Sequence, residues 1–209
     1  MKINSLKIVL IGLLVSMGNL AEAAPSQKSF FSDNSTIIYG TQNKITAKDD
    51  NIVAYNLKKQ MKSYLNITAD NRVNEVTMRR NNLIILAHEK SNSLINFTNL
   101  ANAKSNFPLT IGEGTFSFGK KTYSDKKAGI SFIFPSPYNA KNYVLVYYSN
   151  SVEGLDNITK NVRISSDNEY QIINEQGKSI REGKFNKTNY AWRYDTRFDK
   201  DFERTIIQQ

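Results

Sequence analysis

The sequence predicts an α/β domain in which helices cover a mostly parallel sheet. Three runs of apolar and β-branched residues, at 36–39, 83–87 and 143–148, have the composition of strands covered on both faces. A segment of helical periodicity follows the first run, at 47–65. Because strands and helices alternate through the first half of the chain, we expect neighbouring strands to be parallel.

The first half of the chain contains three strand candidates and two helix candidates. Residues 36–39 form the first strand candidate, which ends at Gly40. In the helix predicted over 47–65, apolar residues recur at helical spacing, and Asp49 and Asp50 favour the helix N-terminus. The other candidates are a weaker strand at 66–69, the strongest buried strand at 83–87 and a short helix at 93–103.

The second half begins with short alternating segments separated by glycine, which predict a β-hairpin or meander near residues 107–127. A strand is then predicted at 129–134, where prolines end it, and another at 143–148. Residues 152–162 predict a helix and residues 170–173 a last strand. The rest of the chain is polar and rich in aromatic residues.

The N-terminus has the order of a secretory signal peptide. Lys2 and Lys7 give it a positive start, and residues 8–17 are an apolar run too short for a permanent membrane anchor. Ala21 and Ala23 are the small residues that a signal peptidase accepts. An uncleaved anchor or a buried helix is the alternative. We therefore expect a signal peptide at 1–23, a flexible segment at 24–35, a single domain at 36–209 and a periplasmic or secreted protein.

Composition narrows the chemistry that the domain can perform. The chain has no Cys and a single His, so it has no thiol nucleophile and no Cys-based metal site, and we expect no bound metal. No later stretch is apolar enough for a transmembrane helix. The formal net charge of +9 favours an anionic partner, although a basic surface also serves simply to keep a protein soluble.

The signals for an enzyme are weak. The sequence has no Gly-x-Ser-x-Gly elbow and no glycine-rich phosphate loop between a strand and a helix, so we predict neither catalytic residues nor a cofactor. His88 directly follows a buried strand and could act as a base with the hydroxyl of Ser91 or Ser149. The simpler interpretation is an ordinary histidine in the loop at the end of a strand.

Two stretches, at 116–123 and 192–202, interleave aromatic and basic residues. Aromatic rings beside cations bind single-stranded nucleic acid or sugars. Alternating aromatics in a strand more commonly pack half into the core and half at a sheet edge. A glycan or nucleic-acid binder is therefore an alternative, and nucleic acid is not the expected partner.

A ligand is expected at the carboxyl edge of the predicted sheet, where loops lead into helix N-termini. Polar loops follow three strand candidates, at 40–43, 88–92 and 149–151. Parallel strands would bring these loops to one edge; the alternative is that they are ordinary solvated connections. The candidate ligand-binding residues are Thr41, His88, Ser91, Asn92, Ser149, Asn150 and Ser151.

Several segments, taken in order, carry a resemblance to a known family. They are Ile-Ile-Tyr-Gly-Thr at 37–41, Asn-Leu-Ile-Ile-Leu at 82–86, the glycine-rich stretch at 109–123, Phe-Pro-Ser-Pro-Tyr-Asn at 134–139, Asn-Tyr-Val-Leu-Val at 142–146, Asn-Ser-Val-Glu-Gly at 150–154 and Gly-Lys-Phe at 183–185. Over these segments the chain resembles a C-terminal accessory domain. That domain follows the catalytic domain in secreted bacterial prolyl-oligopeptidase-like and polyester-depolymerase-like hydrolases.

The resemblance implies a three-layer flavodoxin-like or Rossmann-like fold with a mostly parallel sheet. It implies no catalytic residue, because the family's active site belongs to the preceding catalytic domain. The loop at 87–90 reads Ala-His-Glu-Lys, whereas such domains usually have Gly and Pro there. The leading functional expectation is an exported, non-enzymatic domain that binds a protein or envelope component. The alternatives are a small secreted hydrolase or hydrolase-accessory domain, and a basic, aromatic binder of glycan or nucleic acid.

Overall fold

A computed structural model describes residues 25–31, 34–95, 109–139, 141–163, 167–187, 192–193 and 195–202. The predicted signal peptide at 1–23 lies outside these residues. The helices are α1 (Ala47–Gln60), α2 (Glu75–Arg80) and α3 (Val152–Asn161). The strands are β1 (Ser35–Tyr39), β2 (Asn66–Ala69), β3 (Asn82–His88), β4 (Leu109–Gly112), β5 (Thr115–Phe118), β6 (Lys121–Tyr123), β7 (Gly129–Pro135), β8 (Tyr143–Ser149), β9 (Tyr170–Ile173), β10 (Ser179–Gly183) and β11 (Asp199–Asp201).

Eight of the described strands form one mixed sheet, in the order β11-β10-β9-β7-β8-β3-β1-β2. One half is parallel: β1 pairs with β2 and β3, and β3 pairs with β8. The other half is antiparallel, from the β8–β7 pair through β9 and β10 to β11. The parallel half carries the first and third helices, since α1 packs on β1, β2 and β3 while α3 packs on β3, β7 and β8.

The predicted fold class, a mostly parallel, three-layer flavodoxin-like or Rossmann-like sheet, is wrong. The first departure is β7, which runs antiparallel to β8. Residues 136–142 join the two strands, and a parallel connection requires a dozen or more residues. The apolar run of β7 is buried on both faces like that of a parallel strand, so its composition does not reveal its direction.

A separate three-stranded antiparallel sheet lies where the sequence predicts a hairpin or meander. It consists of β4, β5 and β6, joined by short turns. Phe116 and Phe118 point from it into the core, where their rings contact Tyr148 and Tyr170 of the large sheet. The small sheet therefore covers part of the large one.

Most of the strongly apolar segments form the elements that their patterns predict, as β1, β3, β7, β8 and β9 show. The first helix is shorter than predicted, because the chain turns at Lys62 with a left-handed φ of 49°. Of the helix predicted at 93–103, only Ser93–Ile95 is described, as one 3-10 turn. The short elements α2, β10 and β11 were not predicted.

The core reaches the segment that precedes β1. Residues 25–31, part of the segment expected to be flexible, include a 3-10 turn at Ser29–Phe31 with both phenylalanines buried. Gln27 is also buried and donates to Ser131 Oγ at 3.2 Å. Among the helices that the structure describes, none is long and apolar enough to cross a membrane.

Candidate functional site

An open cleft of about 620 Å³ lies at the carboxyl edge of the parallel strands. Its walls come from four segments: residues 43–46 after β1, 88–90 after β3, 126–127 before β7 and 150–153 after β8. The edge forms because β1, β3 and β8 are parallel, so their carboxyl ends lie side by side. Parts of all three predicted ligand loops therefore meet at this edge, and ligands of parallel sheets commonly bind at such a place.

Close backbone packing holds the cleft walls together. At Gly40, a Cβ atom would overlap the carbonyl group of Ser91, and the backbone N–H of Gln42 donates to that same carbonyl at 2.9 Å. At Gly154, in the first turn of α3, a Cβ atom would overlap both Ser149 Oγ and the carbonyl of Lys126. Only glycine fits at these two contacts, so they fix the spacing of the loops that surround the cleft.

His88 forms part of the cleft lining and is almost fully buried. Its Nε2 lies 3.0 Å from Thr46 Oγ1 and 3.1 Å from Asp50 Oδ2. Thr46 precedes the first turn of α1 and Asp50 ends it, so the i, i+4 spacing puts both on the side that faces β3. Asp50 is 0% exposed, and its second oxygen, Oδ1, has no hydrogen-bond partner in the described part of the chain.

This arrangement does not have the geometry of a hydrolytic triad. In a triad the acid binds one imidazole nitrogen and the nucleophile the other. Here Thr46 and Asp50 both lie next to Nε2 of His88. Because both contacts use the same ring nitrogen, Asp50 does not orient the imidazole through Nδ1 while a hydroxyl faces Nε2, which is what a triad requires.

The two serines considered as nucleophiles have other partners. Ser91 Oγ accepts from the backbone N–H of His88 at 2.9 Å, and Ser149 Oγ donates to the carbonyl of Ala128 at 2.6 Å. Both serines are fully buried. The structure therefore gives no support to pairing the His88 ring with either hydroxyl.

Asn92 is a structural residue of the loop after β3. Its side chain donates to the carbonyl of Leu86 at 2.9 Å and accepts from the N–H of Leu94 at 3.0 Å. With 2% exposure, it presents almost no surface to a ligand. It closes the loop in the way that a backbone turn would.

Asn150 and Ser151 lie on the cleft wall. Asn150 Nδ2 donates to the carbonyls of Tyr123 and Asp125, at 3.0 and 2.9 Å. These bonds fix the orientation of the amide, and its Oδ1 is buried without a hydrogen-bond partner among the described residues. Ser151 caps α3 by accepting from the N–H of Gly154, and it donates to the carbonyl of Lys126.

Thr41 lies beside the cleft rather than in its lining, and it binds a residue that the ligand-site prediction did not include. Its hydroxyl donates to Asp70 Oδ1 at 2.5 Å, while Gln42 and the N–H of Ser93 donate to Asp70 Oδ2. Burial by itself would raise the pKa of Asp70, but the bonds from Ser93, Thr41 and Gln42 outweigh it and lower that pKa. Asp70 thus joins the loops that follow β1, β2 and β3.

The cleft carries more positive than negative groups. Lys90, Lys126 and Lys127 line it together with Glu89 and Glu153. Lys90 lies 3.6 Å from Glu89, whereas no ion pair of Lys126 or Lys127 occurs within the described ranges. α1 and α3 also begin here, and their helix dipoles add partial positive charge, although the N–H groups of Glu153 and Gly154 already donate to the Glu153 carboxylate and to Ser151.

Glu153 lies on the wall of the cleft, in the first turn of α3. Its pKa lies below the ordinary value because the carboxylate accepts from its own backbone N–H and from Ser151. Slight burial opposes that shift, and the charges of His88 and Lys126 reinforce it. The side chain therefore acts mainly as part of the N-terminal cap of α3.

The aromatic and basic stretch at 116–123 does not form a stacking surface. Phe116, Phe118 and Tyr123 are buried, and the Tyr123 ring stacks on Phe116 at 5.0 Å between centroids. Burial raises the pKa of Tyr123 to about 12. Trp192, in the second stretch, is also buried, against Phe185. The interpretation as core packing fits these residues better than a glycan or nucleic-acid platform.

No group of three or more potential metal-binding side chains (His, Asp or Glu) occurs in the parts of the chain that the structure describes.

No protein-family model matches this chain, and neither does any curated protein. The resemblance to the accessory domain of prolyl-oligopeptidase-like hydrolases therefore stays a prediction from sequence.

Proposed function

We propose that this protein is an exported, non-enzymatic binding protein whose cleft receives an anionic group of a protein or envelope partner. The observation that carries the proposal is the placement of Lys126 and Lys127 on an open cleft at which two helices begin. Backbone N–H groups and lysine ammonium groups are the donors that bind phosphate and carboxylate in proteins.

The loop that carries the two lysines is held in place before any ligand arrives. The N–H of Lys127 donates to Asp125 Oδ1 at 2.8 Å, and the carbonyl of Lys126 accepts from Ser151 at 2.8 Å. Asn157 donates to the carbonyl of Lys127 at 2.8 Å. A loop ordered in advance loses less conformational entropy on binding, which favours affinity.

A non-enzymatic role fits the contacts of the polar side chains at this edge. Ser91 and Ser149 hydrogen-bond to backbone, and the imidazole of His88 binds the buried Asp50. None of these three side chains is placed to attack a substrate. The small-hydrolase alternative would need a different nucleophile. The other hydroxyls that line the cleft are those of Thr46, beside Nε2 of His88, and of Ser151, which caps α3.

The experiment is a titration followed by backbone amide NMR at constant ionic strength, with inorganic phosphate and with glycerol 3-phosphate as probes. We expect shifts at the amides of Val152 and Glu153 with both probes. In a Lys126→Gln/Lys127→Gln variant, the Kd should rise by about fivefold or more, since each lost charge-assisted contact contributes on the order of 1 kcal/mol.

A Lys178→Gln/Lys184→Gln variant is the matched control, because it removes the same charge from exposed positions at the β10 end of the sheet. Its Kd should equal that of the unmodified protein. Equal losses in both variants would mean that only net charge matters, and the cleft proposal would then be wrong.

A further inference from the structure

The outward face of α1 and the turn that follows it form an unusual surface, with large apolar side chains exposed between lysines. Ile45, Ile52, Tyr55 and Tyr64 are 90%, 47%, 59% and 99% exposed. They are four of the seven large hydrophobic side chains that are exposed among the described residues. Single exposed apolar residues are ordinary, but such a concentration in one short segment indicates a contact surface.

Helical spacing places Ile52 and Tyr55 on one side of α1, while Ile45 precedes the helix and Tyr64 follows it. Ile52, Tyr55 and Lys59 follow one another at i, i+3 and i+7, so they form a stripe along α1. The opposite side of the helix is the core face, with Val53 and Leu57 buried. α1 thus has one face that packs on the sheet and another that has no partner in the described part of the molecule.

Lysines accompany the apolar side chains over the same segment. The charged residues exposed on or beside the stripe are Lys44, Lys48, Asp49, Lys59 and Lys62, with Lys58 half-buried. No ion pair of these lysines occurs among the residues described. The second acid of the segment, Asp50, is buried against His88. The surface therefore carries a strong excess of positive charge.

A shallow groove of about 380 Å³ marks the end of this surface. It is lined by Tyr55, Lys58, Lys59, Lys62, Ser63 and Tyr64. Its charged groups are all ammonium groups, which only donate hydrogen bonds, so it suits a group that accepts them, such as a phosphate.

We propose that this α1 surface docks the protein on a membrane that contains anionic phospholipids. Lysine side chains reach the lipid phosphates, while isoleucine and tyrosine side chains enter the boundary between headgroups and acyl chains. The apolar side chains are separated by lysines, and such a mixed surface matches a fluid headgroup layer better than the continuous apolar patch of a protein interface. The docking does not depend on the cleft, because Tyr55, Lys59 and Tyr64 are not part of its lining.

The test uses the chain from Ala24 onward, which contains every described residue, and sedimentation with vesicles. We expect binding to vesicles of equimolar phosphatidylcholine and phosphatidylglycerol, and little to phosphatidylcholine alone. A Lys59→Gln/Lys62→Gln variant should bind the anionic vesicles about tenfold more weakly or worse, given the contribution of each lysine at an anionic surface. A Tyr64→Ser variant should also bind more weakly, including at high salt, where the apolar contribution persists.

Two control variants remove the same charge elsewhere: Lys178→Gln/Lys184→Gln near β10, and Lys126→Gln/Lys127→Gln in the cleft. Both should bind the anionic vesicles within about twofold of the unmodified protein, and all variants should keep its melting temperature. Equal losses in the α1 variant and the β10 variant would overturn the proposal, as would a loss confined to the cleft variant. Binding to heparin without binding to vesicles would identify an anionic polymer as the partner and would also overturn it.

Discussion

Nε2 of His88 lies 3.1 Å from Oδ2 of Asp50, and both side chains are almost completely buried. The two residues come from different elements, the end of β3 and the first turn of α1. Their contact joins the helix to the sheet below the cleft. It also gives Oδ2 of the fully buried Asp50 a hydrogen-bond partner, and a buried polar atom without one is destabilising.

This relationship predicts that the two residues are energetically coupled. His88→Ala alone should lower the free energy of unfolding by about 1–3 kcal/mol, because it leaves Oδ2 of the buried Asp50 without its hydrogen-bond partner. The double variant His88→Ala/Asp50→Ala should lose less than the sum of the two single variants. Urea unfolding of the four proteins measures the coupling through a double-mutant cycle. Strict additivity would show that the contact contributes nothing.

A second prediction concerns Asn92, one of the candidate ligand residues. Because its side chain satisfies the carbonyl of Leu86 and the N–H of Leu94, Asn92→Ala should lower the free energy of unfolding by about 1–3 kcal/mol. Lys90→Ala, two residues away and exposed, should change it by less than about 0.5 kcal/mol. Thermal unfolding of both variants is the measurement. An Asn92 variant as stable as the parent would argue against a structural role.

A third prediction follows from the lowered pKa of Asp70. A carboxyl whose pKa is lower in the folded state than its ordinary 3.8 stabilises the fold above that pH. This contribution is lost as the pH falls from about 3.8 through the lower, folded value. Asp70→Asn should therefore flatten the pH dependence of the free energy of unfolding in this acid range. Urea unfolding at a series of pH values tests it, and an unchanged slope would contradict the lowered pKa.

A Thr41→Val variant is the control for this prediction. It removes the hydroxyl that donates to Asp70 but keeps the carboxyl, so the pKa of Asp70 should move back toward its ordinary value. Its acid slope should lie between those of the parent and of Asp70→Asn.

A fourth prediction concerns export. The positive start, the short apolar run and the small residues at Ala21 and Ala23 predict cleavage after residue 23. Intact mass of the exported protein should correspond to a chain that begins at Ala24. An exported chain that still begins at Met1 would contradict the prediction.

Apolar runs identified β1, β3, β7, β8 and β9, but not β10, whose buried residues include Arg181 and Glu182. Residues 83–87 and 143–148 became the neighbouring strands β3 and β8. The same reasoning predicted β7 but not its direction. A strand that is covered on both faces has the same apolar composition whether it is parallel or antiparallel to its neighbours. Its burial depends on what lies above and below the sheet rather than on the direction of the hydrogen-bonded strands. The short connection at 136–142 was the signal that could have identified an antiparallel pair.

The candidate site was only partly predictable. Parallel pairing was enough to predict that the loops after β1, β3 and β8 share an edge. It was not enough to predict which of their side chains face outward. The side chains of Ser91 and Asn92 point inward, where they hydrogen-bond to the N–H of His88 and the carbonyl of Leu86. Lys126 and Lys127 were missed, since they precede an antiparallel strand whose neighbour was unknown.

The sequence by itself determined that its strongly apolar runs are buried, and it determined the basic character of the domain. Only the tertiary structure decided the direction of β7, the contact between His88 and Asp50, and the exposure of Tyr64. The physical reason is that hydrophobic burial is non-directional, so a sequence pattern records how completely a side chain is covered. What covers it depends on contacts between residues far apart in the chain, and those exist only once the sheet has formed.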